Sequence, residues 1–449
     1  MAADQSSDGI NNGSNKGPNS SSNNKANPNS TGPLSSPPKV GPILTGGLKG
    51  ISRIDAFELK DKNLFLRLDL NVPLDHSSGK TKITNDNRIR AALPTIQYAL
   101  EQGARIVVAS HLGRPEKAEE RHLYSMEPIA AHLSELLSAE VILIEDPASD
   151  APKALFQGLK GQQILMLENL RYDEGEVANS SELAMHWSSY TDVYINDAFG
   201  ACHRAHASIE ALPRLVAQKG IGFLIEKEIT NLDSVIYHPE HPYMAILGGA
   251  KVSDKIPVIE KLMDLVDVFI IGGAMAYTFL AAKGVAVGKS RVEKDRVNFA
   301  KEMLARIEAR NKKILLPIDH LVVSEIASRT ATLTTSQAIA SDMLGVDIGP
   351  KTIELYSNEL KKAKCVFWNG PMGIFERKEF SQGTFKIAEI LAGLEDARTI
   401  VGGGDSAAAA EESGFAEQMT HISTGGGASL EYLQGEKLPG LEILRARRY

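Results

Sequence analysis

The chain has 449 residues, 43% of them hydrophobic, which suffices for a sizeable core and, at roughly 100–200 residues per domain, for two to three domains. Its 49 Lys+Arg against 56 Asp+Glu give a formal net charge of −7, which argues against a general nucleic-acid coat and leaves room for a local basic pocket. Two cysteines make no disulfide framework and indicate a reducing compartment, and no apolar run reaches the roughly 18 residues of a membrane span.

Residues 1–45 are rich in Asn, Ser, Gly and Pro and too poor in apolar groups to offset the entropy of ordering, so a disordered leader is expected there. It has no apolar h-region of a secretory signal. Its acids and the absence of any Arg before Arg53 are unlike an organellar transit peptide. A regular rhythm follows. The first half offers the runs NLFLRLDL, RIVVASH, VILIED, ILMLEN and VYINDAF. The second offers MAILGG, VFIIGGA, KILLPID, CVFWNGP, TIVGGGD and HISTGGG. Such continuous apolar runs suit strands buried on both faces of a parallel sheet. Helical spacing lies between them, as in Ile256, Ile259, Leu262 and Val266. The alternation predicts doubly wound α/β architecture, and the number of strands predicts two sheets. A helix from Phe223 onward is expected to connect the halves.

In open α/β sheets, ligands bind beyond the carboxyl ends of strands. Those ends differ between the halves. In the first, Arg67, Asp69 and Asn71, then Arg88, His111, Arg114, Arg171, His203 and Arg204 follow the strands. Planar Arg forks at several strand ends predict a pocket for a small, multiply anionic substrate. In the second half the strands run into GGAKVSDK, IGGAMA, WNGPMG, VGGGDSAAAAEE and STGGGASLEYLQ. Glycines let backbone N–H groups approach phosphate oxygens, and a following helix adds its dipole. The GGGD loop leads into a helix expected to end at Gly414, Asp405 suits Mg²⁺, and Lys251 and Lys255 suit phosphates. A nucleotide polyphosphate is the expected ligand.

Other patterns fail. GVAVGKS at Gly284–Ser290 has one residue too few between its glycines for a P-loop and reads as a connecting loop. No G-x-G-x-x-G follows a strand, which opposes a dinucleotide-dependent dehydrogenase. The His203/His206 spacing lacks the context of a zinc site, Cys202 reads as a space-filling thiol, and Trp368 as core. His320 reads as a solvated loop residue beyond a strand end.

The segments RLDLNVP, SHLGRP, ENLRY, NDAFGACHRAHAS, GFLIEKEI, LGGAKVSDKI, WNGPMGIFE, GGGDSAAA and STGGGASLE occur in this order. Together they resemble the phosphoglycerate kinases, from about residue 48 to the carboxyl terminus. The resemblance implies a bilobal hinge kinase of two doubly wound, Rossmann-like parallel-sheet lobes joined by a helix. Residues 46–222 would bind 3-phosphoglycerate and residues 223–430, beginning with the inter-lobe helix, Mg-nucleotide. Residues 431–449 would return to the first lobe. The reaction implied is reversible transfer of the acyl phosphate of 1,3-bisphosphoglycerate to ADP, with Mg²⁺ as cofactor, in a cytoplasmic monomer without nucleic-acid or membrane partners. By the same resemblance, glycerate contacts are Asp69, Asn71, Arg88, His111, Arg114, Arg171, His203 and Arg204. Nucleotide contacts are Lys255, Gly349, Asn369, Glu376, Gly402, Gly403, Gly404, Asp405 and Ser406, with Asp405 on the metal. Arg88, Lys251 and the amides of Gly425 and Gly426 would flank the transferring group. Ser406 stands where many relatives carry Thr and is expected to keep a helix N-cap. Ala201-Cys202 replaces a common Thr-Ala beside the glycerate site.

Overall fold

The computed structural model describes residues 44–77, 81–115 and 117–446, so the leader expected over residues 1–45 falls almost wholly outside the described residues. The first half of the chain builds β1 (Asn63–Leu68), β2 (Arg105–Ala109), β3 (Glu140–Ile144), β4 (Gln163–Leu167), β5 (Val193–Asp197) and β6 (Gln218–Ile221). They form one parallel sheet in the order β3-β4-β2-β1-β5-β6. The second half builds β7 (Tyr243–Leu247), β8 (Val268–Ile271), β9 (Lys313–Leu315), β10 (Cys365–Asn369), β11 (Arg398–Val401) and β12 (His421–Ile422). These are also parallel, in the order β9-β8-β7-β10-β11-β12. In each sheet the first strand lies between strands reached by opposite crossovers. Its carboxyl end therefore opens a crevice.

All eleven runs read as strands are strands. The twelfth, β6, was not legible: QKGI is an edge strand whose first two side chains meet solvent, so it lacks the apolar run of a central strand. A small antiparallel sheet of His320–Val323, Thr332–Leu333 and Leu344–Ile348 was missed for a similar reason, its pieces being short and partly exposed. The helix after β7 covers Ile256–Leu262 and stops short of Val266, which is buried beyond a turn.

Both faces of the sheets are apolar. In β1, Leu64, Leu66 and Leu68 pack into one cluster and Phe65 into another. In β7, Met244 and Ile246 face one way and Tyr243, Ala245 and Leu247 the other. This two-residue alternation with oil on either side is what a helix-covered parallel sheet requires.

The helices that matter for the site are α1 (Asn87–Glu101), α2 (Phe223–Ile236), α3 (Gly404–Glu412), α4 (Gly427–Gln434) and α5 (Pro439–Glu442). α2 lies between β6 and β7 and joins the lobes as expected. Its Ile225, Ile229, Leu232, Val235 and Ile236 belong to one apolar cluster that also holds Phe65 and Val107 of the first sheet and Ala245 and Leu247 of the second. Beyond α4 the chain crosses back to the first lobe: the Gly440 N–H donates to Cys202 O at 2.9 Å and the Ala446 N–H to Gly50 O at 2.8 Å. Among the described residues, no helix is long and apolar enough to cross a membrane.

His320 departs from expectation. It is not a solvated loop residue but the first residue of a strand, 0% exposed, with its ring 5.5 Å from that of Tyr277. Its Nε2 lies 3.2 Å from Gln337 O, and Nδ1 is buried with no partner among the described residues. Burial pushes its pKa down to about 4. A neutral folded histidine whose unfolded counterpart titrates near 6.5 contributes stability that is lost as pH falls through this window. We expect the urea-unfolding free energy to decline between about pH 6.5 and 4, and His320→Gln to remove up to one proton's share of that slope, about 1.4 kcal/mol per pH unit. An unchanged slope in the variant would refute this.

Candidate active site

The carboxyl ends of β1, β2, β4 and β5 face one another, and each carries a polar loop. Asp69 follows β1 and is 7% exposed. Its Oδ2 accepts from Arg88 of α1 at 2.7 Å. Asn71 Oδ1 accepts the Gly113 N–H at 2.8 Å, which ties the β1 loop to the SHLGRP loop. Arg171, after β4, donates to Gly113 O, and its buried Nε has no partner among the described residues. Arg204 Nε donates to His203 Nε2 at 3.2 Å after β5. Asp69, Asn71, Arg88, His111, Arg171, His203 and Arg204 are thus gathered at one end of one sheet, with Arg114 exposed beside them.

Electrostatics reports the same convergence. Burial, and then the neighbouring Arg204, Arg67 and Arg114, push Arg171 down to about 10. Burial and Arg114 lower Arg204. Burial drives His111 well below the ordinary histidine range, helped by Arg67, Arg171, Arg204 and Arg88. His206 falls to about 4 for the same reasons. Several cations that depress one another's protonation form a site in which positive charge outweighs negative.

Arg67 stands apart from these. It is wholly buried, donating to Ser208 Oγ at 2.7 Å and to Leu68 O, with its NH2 3.3 Å from His111 Nδ1. Glu176, also 0% exposed, lies 3.8 Å from it and accepts from the Ser208 N–H and Oγ–H. No motif or spacing links these two residues. Glu176 sits in a surface-like acidic stretch, and only the fold carries it beneath the pocket.

The second crevice lies between β7 and β10. Gly370, at φ +103°, allows these two strand ends to touch: a Cβ there would meet Gly248 O at 2.2 Å. Asn369, 1% exposed, donates to Gly402 O and accepts from Lys255 Nζ. Burial lowers the Lys255 pKa against the opposing pull of Asp254 and Asp405. Gly403, at φ +91°, precedes α3, so the loop 402–405 presents backbone N–H groups with Asp405 exposed in the first turn. Ser406 is not the expected N-cap. Gly403 holds that place, and Ser406, buried within the first turn, accepts the Gly370 N–H at 2.6 Å. Gly349 caps the helix Pro350–Leu360. Glu376 and Lys251 are exposed on loops, and no hydrogen bond of theirs is recorded to Asn369 or to the 402–405 loop among the described residues.

A third loop joins the crevices. Glu228 of α2, 0% exposed, accepts from His421 Nε2 at 2.8 Å and from Thr424 N and Oγ1, both at 2.7 Å. This brings Gly425 against Phe199 and the start of α4 to His203, 3.7 Å from a Cβ built on Gly427. The Gly425 N–H is held by Ser423 Oγ at 3.1 Å, and Gly426, at φ +52°, caps α4. A cleft of about 540 Å³ between the lobes is lined by Arg88, Leu224, Gly404, Glu411, Thr424 and Gly426, among others.

Two parallel-sheet lobes, a cation-rich crevice on one, a glycine-lined crevice on the other and a cleft between them define a bilobal phosphotransferase. The phosphoglycerate kinase family profile matches residues 54–436. A phosphoglycerate kinase of Bdellovibrio bacteriovorus is 61% identical over 405 residues, covering 90% of this chain and 100% of that one. One from Anaeromyxobacter dehalogenans is 50% identical, covering 87% and 98%. The solved phosphoglycerate kinase of Coxiella burnetii is 38% identical with a TM-score of 0.77 and covers 88% of this chain and 98% of its own. The chain belongs to the phosphoglycerate kinase family.

Gly403 has no room for a side chain. A Cβ there would sit 2.6 Å from Asn369 Nδ2 on a backbone that L-residues avoid. Gly403→Ala is expected to weaken Mg-ADP binding by at least about tenfold, the effect of ~1.4 kcal/mol, without changing 3-phosphoglycerate affinity. Calorimetric titration with each ligand checks this, and equal losses for both would refute it.

Proposed function

We propose that the chain carries out its family's reaction, the reversible transfer of the acyl phosphate of 1,3-bisphosphoglycerate to ADP, giving 3-phosphoglycerate and ATP. Transfer is direct and in line as the lobes close. The observation that carries this reading is the division of labour between the crevices: arginine forks at one, backbone amides and a half-buried lysine at the other. On this reading residues 46–222 take the glycerate and residues 223–430 the nucleotide, and residues 431–449 complete the first lobe.

His111, Arg114, Arg171, His203 and Arg204 would bind phosphate and carboxylate oxygens, with Asp69 and Asn71 ordering the glycerate and Arg88. Lys255, Asn369, Ser406 and the amides of Gly402, Gly403 and Gly404 would hold the nucleotide phosphates, with Gly349 and Glu376 toward the nucleoside. A single exposed carboxylate at a helix start, beside a phosphate cradle, fits Mg²⁺, which prefers one or two carboxylates plus substrate phosphates. Asp405 would hold it, and when bound it neutralises phosphate charge. Arg88, Lys251 and the amides of Gly425 and Gly426 would face the transferring group.

The acceptor of the reverse reaction is a carboxylate, ionised near neutral pH, so no general base is needed. The residues have to align donor and acceptor, exclude water and balance spread negative charge. Two free, buried cysteines accord with a cytoplasmic setting, and we read the enzyme as a monomer. Mg-ATP with 3-phosphoglycerate, coupled to NADH oxidation by glyceraldehyde-3-phosphate dehydrogenase, should report turnover. Arg88→Ala should lower kcat on the order of 10²–10³ while leaving Mg-ADP affinity within about twofold. No turnover in a folded protein that binds Mg-ATP would overturn the reading. An equal loss of nucleotide affinity would remove Arg88 from its role.

A further inference from the structure

The two lobes also touch through side chains that have been given no role above. Glu411 stands in the last turn of α3, and both of its oxygens cross to the first lobe: Oε2 accepts from Asn85 Nδ2 and Oε1 from Asn87 Nδ2, each at 2.5 Å. The two amides flank Asp86 at the start of α1, and Asn85 Oδ1 accepts the Asn87 N–H at 3.0 Å, so the pair is held as one unit. Arg88 is the next residue.

Local structure does not account for Glu411. An acid near a helix carboxyl terminus opposes the dipole, Glu412 adds a like charge, and no basic residue lies in the last turn of α3. The carboxylate is nevertheless half-buried and doubly hydrogen-bonded, both times across the lobes. Bonds from amides to a charged acceptor are stronger than neutral ones. At the other end of α3, seven residues and roughly 10 Å away, is the loop of Gly403, Gly404 and Asp405. One short rigid helix thus carries the nucleotide loop at its start and grips the Arg88 segment at its end.

We propose that Glu411 is a positioning residue: through Asn85 and Asn87 it clasps the lobes and sets Arg88 relative to the nucleotide loop. The proposal rests on the functional reading above and names a contact that reading leaves out. The clasp holds the cleft partly closed before substrates arrive, so less of the closing motion and of the placement of Arg88 remains to be driven by ligand binding.

The test uses the full chain. Glu411→Ala should lower kcat by on the order of tenfold to a hundredfold, the effect of a misplaced catalytic group, with Mg-ADP affinity within about twofold. Glu411→Gln, whose amide oxygen still accepts one bond, should recover part of the rate. Adding Asn87→Ala to Glu411→Ala should cost nothing more, because both remove the same contact. Small-angle scattering without ligands should give a larger radius of gyration for Glu411→Ala than for the parent chain. Parent-like kcat and scattering in Glu411→Ala would overturn the proposal, as would losses that add between Glu411→Ala and Asn87→Ala. If the parent chain does not turn over 3-phosphoglycerate, the functional reading fails by itself. The scattering comparison then decides the clasp: an enlarged variant supports it, and identical curves overturn it.

Discussion

The site depends on one buried carboxylate. Glu228 belongs to the helix that joins the lobes, yet its three donors come from β12 and the loop after it. A carboxylate with no solvent must be matched by donors, and this one is. The consequence is geometric. Thr424 is pulled onto α2, Gly425 and Gly426 follow it, and α4 begins beside His203. Without that tie, the second lobe would present its last glycine loop with no fixed relation to the first lobe's cations.

The same logic of burial and compensation operates under the cation-rich crevice. Arg67 and Glu176 are both excluded from water and share Ser208. Arg67 in turn faces His111 Nδ1. Cations gathered in one crevice repel one another, as the lowered Arg171 and Arg204 record. A carboxylate sealed beneath them relieves part of that repulsion without adding negative charge to the crevice's surface.

Much of this was legible in the sequence. The central strands carry apolar runs that only a two-faced core explains, and all eleven were read. Charges after the first-half strands and glycines after the second-half strands lay where the parallel order puts a crevice. What escaped notice had a physical reason. β6 is a polar edge strand. His320 lies between an acid and an apolar run, and nothing local says that a second small sheet covers it. Ser406 looks like a cap after GGGD, but Gly403 takes the positive φ that begins the helix, and the hydroxyl is left to bind Gly370. Glu176, Glu228 and Glu411 each act through partners 32 to 326 positions away, a relation that periodicity and motif do not encode.

The return of the chain to its first lobe has a bearing on synthesis. Gly440 bonds to Cys202, Ala446 to Gly50, and the Arg445 guanidinium reaches the carbonyls of Gly47 and Lys49. A ribosome therefore releases the strands of the first sheet long before it supplies the segment that seals them. Among the described residues the second lobe has its last strand by residue 422, whereas the first waits for residues 440–446. The lobe made first is thus the lobe finished last.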